Sequence, residues 1–167
     1  QEMLDETKGG GGEGRHASQT AELEQKIKNK PDELPPYLQL SQLLRRQGKL
    51  ELAHALMERA KQATGGHPDA LTELAEIDID RYKNDLAIAE RKAIEKPNDA
   101  DAQKRAQDLA RELNDFELRE YQRRTERNPT DSGLRVELGI LLCRAGLYDQ
   151  AIKPIADDYG CAVLVLD

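Results

Sequence analysis

The chain has 167 residues, enough for one ordinary domain with a sizeable core and too few to suggest two. Its 38% hydrophobic and 34% charged residues, with five Tyr, one Phe and no Trp, favour helix. A formal net charge of −7 argues against unspecific nucleic-acid binding, which needs Lys and Arg clustered on one face.

Residues 1 to about 18 are polar and contain Gly9-Gly10-Gly11-Gly12-Glu13-Gly14, too little apolar surface to offset the entropy of ordering glycine, so a flexible linker is expected. It is not a phosphate loop, because no strand precedes it and no Lys-Ser or Lys-Thr pair follows. From Ser18 or Thr20, both suitable N-caps, a short helix is expected through Leu23 and Ile27 to Pro31. Its apolar face is narrow, so it should lie against the next hairpin as a half-repeat cap.

Pro35-Pro36 opens a helix where proline is tolerated, and Tyr37, Leu40, Leu43 and Leu44 recur at helical spacing until Gly48. A second helix from about Leu50 carries Leu52, Ala53, Leu56, Met57 and Ala60 and stops at Gly65-Gly66. The stretch Leu40 to Ala53 recurs as Leu138 to Ala151, with Leu43-Leu44, Arg46, Gly48 and Ala53 in register with Leu141-Leu142, Arg144, Gly146 and Ala151. Internal similarity of this kind marks a helical repeat, a unit that cannot bury its apolar face alone.

Residues 34–65 resemble a tetratricopeptide repeat, with Tyr37, Leu40, Ser41, Leu44, Gly48, Ala53, Met57 and Ala60 at the packing positions of that family. The closing Pro68 comes a few residues late, after Gly65-Gly66. Residues 132 to about 152 resemble the same family through Leu138-Gly139, Leu142, Gly146, Tyr148 and Ala151, and depart from it at Pro154, which falls inside the expected second helix. The resemblance implies an all-α architecture of helical hairpins stacked as a solenoid over residues 19–160.

The matching glycines, Gly48 and Gly146, are 98 positions apart, close to three periods of about 34 residues. Yet no glycine lies between Gly66 and Gly133. Leu71, Ala75, Tyr82, Leu86, Ala89 and Ala93 form one helical seam, and Ala102, Ala106, Leu109, Leu113 and Phe116 another. Two long helices over about 69–96 and 99–127, paired as an antiparallel hairpin around Pro97-Asn98-Asp99, are therefore expected, each roughly 40 Å long. The alternative is two short-helix repeats with turns near Arg81–Asn84 and Leu113–Asp115. Beyond them Asp131 or Ser132 caps a helix striped with Leu134, Leu138, Leu141 and Leu142. The tail at 161–167 is apolar and β-prone, and is expected to pack over the open end of the array or to mark where a longer one has been cut, the alternative being a recognition strand that adds to a partner's sheet edge.

No catalytic or metal-binding constellation stands out, and no cofactor is implied. Cys143 and Cys161 lie 18 residues apart without a His at zinc-ligand spacing, which points to free thiols. Arg119, Arg123, Arg124 and Arg127 are interleaved with Glu117, Glu120 and Glu126, so local pairing accounts for most of that basic cluster. In the tetratricopeptide family the first helix of each hairpin lines the concave side. That resemblance makes Leu38, Gln42, Arg45, Arg46, Ile140 and Arg144 the expected partner-binding residues, with Arg46 and Arg144 at equivalent places, each able to hold a carboxylate. The expected function is a non-catalytic scaffold for a protein or peptide, without nucleic acid or membrane. Self-assembly as a homo-oligomer and an accessory role to an upstream enzyme are the alternatives. No apolar run reaches the roughly 18 residues of a membrane span and no leader is seen, which suggests the cytoplasm, although the chain opens at Gln1 rather than Met and leaves room for residues upstream.

Overall fold

The computed structural model describes residues 11–147 and 150–151, and every secondary-structure element among them is helical. The helices are α1 (Gly11–Asn29), α2 (Leu34–Arg46), α3 (Leu50–Ala63), α4 (Pro68–Glu95), α5 (Ala100–Arg127) and α6 (Ser132–Arg144). The chain divides into two compact units, residues 1–78 and 79–167, with the boundary inside α4.

In the first unit α1 packs on α2 and α2 on α3. Their core comprises Leu23 and Ile27 of α1, Tyr37, Leu40 and Leu43 of α2, Ala53, Leu56, Met57 and Ala60 of α3, and Ala70, Leu74 and Ile77 of α4. At roughly 1.5–3 kcal/mol for each large apolar side chain removed from water, this cluster supplies most of the driving force for the unit. Tyr37, 1% exposed, also donates its hydroxyl to the Pro31 carbonyl at 3.1 Å, tying the first helix of the resemblance to the turn before it.

α1 departs from expectation by starting at Gly11, within the segment read as linker, rather than at Ser18 or Thr20. Glycine weakens a helix by about 1 kcal/mol per residue but does not interrupt its hydrogen bonds as proline does, and no proline occurs before Pro31. Among the described side chains of α1, the buried ones are Leu23 and Ile27, in line with a narrow apolar face.

The turn after α2 shows why Gly48 is needed. Gly48 has φ +71°, its N–H donates to Arg45 O at 2.9 Å, and Lys49 N–H donates to Leu44 O at 2.9 Å. The same pair of bonds closes α6: Gly146 has φ +75° and donates to Cys143 O at 3.0 Å, while Leu147 N–H donates to Leu142 O at 2.9 Å. Both are left-handed glycine C-caps that satisfy the last helical carbonyls. The repeated signature thus builds the same turn twice.

In the second unit the last part of α4 and α5 form an antiparallel pair. Gln103 Nε2 donates to Ala93 O at 2.9 Å beside the turn, and farther along Tyr82 and Phe116 stack with ring centroids 5.5 Å apart and planes at 41°. Asp99 caps α5 by accepting from the N–H groups of Asp101 and Ala102 at 3.1 and 3.0 Å. α4 and α5 are therefore two unbroken long helices, and the short-helix alternative with turns at 81–84 and 113–115 does not occur. The seam expected along α4 faces inward throughout, with Ala75, Ala89 and Ala93 buried and Leu71, Tyr82 and Leu86 half-buried, and Ala70, Leu74, Ile77 and Ile79 widen it in the first part. α5 packs on α6, where Leu118 and Tyr121 cover Leu138, Leu142 and Ala151. Asp131, not Ser132, caps α6 by accepting from Leu134 N–H at 3.1 Å. Pro154, Cys161 and the apolar tail lie outside the described residues.

Candidate functional site

The face of α2 that carries Leu38, Gln42, Arg45 and Arg46 is set by its apolar stripe. Tyr37, Leu40 and Leu43 point into the core, so a helix of 3.6 residues per turn must present Gln42 and Arg46 outward. Leu38 is half-buried against the core cluster and forms the apolar edge of this face.

Arg45 is not the exposed residue the sequence suggested. Its side chain is 21% exposed, with Nη1 3.2 Å from Glu73 Oε1 and Nη2 3.8 Å from Glu76 Oε2, both on α4. Glu73 is itself buried and accepts from the Ser41 hydroxyl at 2.8 Å. A buried carboxylate is tolerated only when paired and hydrogen-bonded, so Ser41 and Arg45 serve to hold α4 against α2. Exposed pairs such as Lys26–Glu22, with side chains 55% and 67% exposed, are screened by solvent and contribute little by comparison. Periodicity does not reveal Glu73, because its partners lie 32 and 28 residues away.

Arg46 remains exposed, and no carboxylate among the described residues pairs with it. In the second unit its equivalent Arg144 is 64% exposed, with Nη1 4.0 Å from Glu117, the limit of an ion pair. Glu117 is buried and takes Lys83 Nζ at 3.4 Å as well. Ile140, equivalent to Gln42, is 38% exposed, and Cys143, equivalent to Arg45, is an exposed free thiol. The two candidate faces therefore differ in chemistry: polar with one unpaired cation on α2, largely apolar on α6.

Of the four arginines clustered late in α5, Arg123 and Arg124 are paired locally, while Arg119 and Arg127 are exposed. Glu120 accepts from Arg123 Nη2 at 2.6 Å and Nε at 2.9 Å, and from Arg124 Nε at 2.7 Å. Burial pushes the Glu120 carboxyl up, but the hydrogen bonds from Arg123 and Arg124 outweigh it and hold the group below the usual carboxylate range. Arg124 also lies over the Tyr121 ring at 5.0 Å. No group of three or more His, Cys, Asp or Glu among the described residues could hold a metal ion, and no described helix is long and apolar enough to cross a membrane.

No protein-family model matches the chain, and no curated protein sequence matches it. Among solved structures the chain is similar to a MamA fragment, residue 41 to the end, from Desulfovibrio magneticus RS-1, at 17% identity over 89% of this chain and 86% of that one, with a TM-score of 0.44. It is also similar to a MamA RS-1 ArsTM double mutant, at 18% identity over 89% and 85% of the two chains with a TM-score of 0.44. A third neighbour is YrrB, described as a TPR protein with an unusual peptide-binding site, at 20% identity over 83% and 73% with a TM-score of 0.40.

Proposed function

We propose that the chain is a non-catalytic, tetratricopeptide-like interaction module that holds an acidic protein or peptide segment on the outward face of α2. The observation that supports this most is the contrast between the two adjacent arginines. Arg45 is committed to Glu73 and Glu76, while Arg46, one residue on, stands exposed beside Gln42 with no acidic partner among the described residues. The planar guanidinium of Arg46 can take a carboxylate through two parallel hydrogen bonds, Gln42 can donate to or accept from a partner's backbone, and Leu38 supplies apolar contact at the edge. Arg45 acts in this reading as the residue that fixes the face. Arg144 and Ile140 offer a second, more apolar contact area within the second unit.

Charge reversal at Arg46 and Arg144, singly and together, tests the reading by affinity measurement on a captured partner, with far-UV circular dichroism to verify folding. A charge-assisted contact is worth about 1.5–3 kcal/mol, so Arg46→Glu should weaken capture roughly tenfold or more. Unchanged affinity in the double variant would sink it.

Self-association is the second reading, favoured by the apolar residues Ile140 and Leu147, which are 38% and 39% exposed on and just after α6. Light scattering across a concentration series separates the two, since a mass that stays monomeric throughout removes this alternative.

A further inference from the structure

The first unit contains a groove of about 490 Å³ on the far side of α2 from Gln42. Leu40 and Leu44 form its floor, and each lies roughly 160° round the helix from Gln42 at 100° per residue. α1 and α3 form its two walls. Both pack on α2 through short turns and so run antiparallel to it, which orders the lining into levels. Thr20 and Leu52 stand beside Leu44 at one end, Glu24 and Leu56 beside Leu40 in the middle, and Ile27, Lys28 and Arg59 at the other end.

Two features distinguish this groove from an incidental gap between helices. Leu52 is 59% exposed on its wall, so apolar surface is left uncovered along one flank. At the opposite end Lys28 and Arg59 approach from separate helices, both exposed, and neither has a carboxylate partner among the described residues. Glu24 lies one helical turn from Lys28, yet the two form no ion pair. Most other exposed cations of α1 and its following turn are used locally, as in Lys26–Glu22 and Lys30–Glu33. An apolar trough with two cations at one end and one carboxylate, Glu24, along it carries net positive charge at that end, which is complementary to an apolar ligand with negative charge at one end.

We infer that this groove docks an amphipathic helix from a partner protein, with apolar side chains along Leu44 and Leu52, over buried Leu40, and acidic side chains between Lys28 and Arg59. A helix suits the site better than a fatty acid. A small-molecule pocket typically encloses about 70–90% of its ligand, whereas this groove is open along the Leu52 flank and walled by parallel helices whose side-chain ridges match those of a third. The C-terminal end of the docked helix points to the cations, because its carbonyls carry partial negative charge in addition to the acidic side chains. The surface is separate from the Arg46 face and does not depend on it.

Fluorescence anisotropy provides the test, using a labelled, amidated helical peptide of about 15 residues with Leu on one face and two Glu in its last turn. Saturable binding is expected. It should weaken about tenfold in the K28E/R59E double variant, whose exposed sites do not touch the core, and recover when the peptide's Glu pair is changed to Lys. L52R should block binding, and Arg46→Glu should leave it unchanged, so that failure of the α2-face reading and failure of this one are distinguishable. No saturation up to about 1 mM, equal affinity in K28E/R59E, or binding of dodecanoate without binding of the peptide would each overturn the assignment.

Discussion

The two copies of the repeated signature, in α2 and in α6, build the same turn and present different surfaces. Gly48 and Gly146 take φ +71° and +75° and close their helices with matching hydrogen bonds, and Ala53 and Ala151 are both buried. Outside these positions the copies diverge. Ser41 uses its hydroxyl on buried Glu73 where Gly139 has no side chain, and Gln42 and Arg45 correspond to Ile140 and Cys143. Shared residues in a repeat specify the backbone turn and interhelical packing, while the outward positions are free to acquire different partners.

The largest expected effect probes the shared packing. Leu40 and Leu138 are equivalent, 3% and 9% exposed, and among the described residues Leu40 sits in the larger cluster. Thermal or chemical unfolding should show Leu40→Ala losing about 3–4 kcal/mol and Leu138→Ala nearer 2. Equal losses would mean that the two sites pack alike. The shared turn comes next: Gly48→Ala and Gly146→Ala should each cost about 1–2 kcal/mol, since a Cβ meets nothing within 4 Å at either glycine and only the left-handed backbone is penalised. Markedly unequal costs would break the equivalence of the turns. Ser41→Ala, which has no counterpart in α6, should cost about 1 kcal/mol by removing a donor from buried Glu73.

A smaller effect is confined to the second unit. The folded-state pKa of Glu120 is lowered, so its contribution is fully present above the ordinary carboxylate value of 4.5 and is lost as pH falls through the depressed value. Acid titration of stability should therefore be shallower in Glu120→Gln than in the parent over that window. Identical slopes would show that the arginines do not stabilise the ionised carboxylate.

Helix boundaries and turns were largely legible in the sequence, because glycine, proline and capping aspartate act locally. Gly48, Asp99 and Asp131 act where their neighbours predict. The unbroken course of α4 and α5 followed from the missing glycines. The long-range polar contacts were not legible. Arg45 and Arg46 are the same residue type side by side, and the approach of Glu73 and Glu76 commits the first to the structure while the second stays available. Leu52 falls among the apolar residues of α3 in the sequence, and only packing shows that it is left on a groove wall. The early start of α1 was not legible because the entropy of ordering several glycines argues against it, although glycine weakens a helix without interrupting its hydrogen bonds.

Site-specific photo-crosslinking from Gln42, compared in one experiment with Ile140, tests most directly whether the two faces serve different purposes. The reading predicts that Gln42 captures a partner rich in Asp and Glu, that Arg46→Glu weakens this capture about tenfold or more while leaving helicity intact, and that cross-links from Ile140 are insensitive to Arg46. Capture from Gln42 that persists unchanged in Arg46→Glu would contradict it.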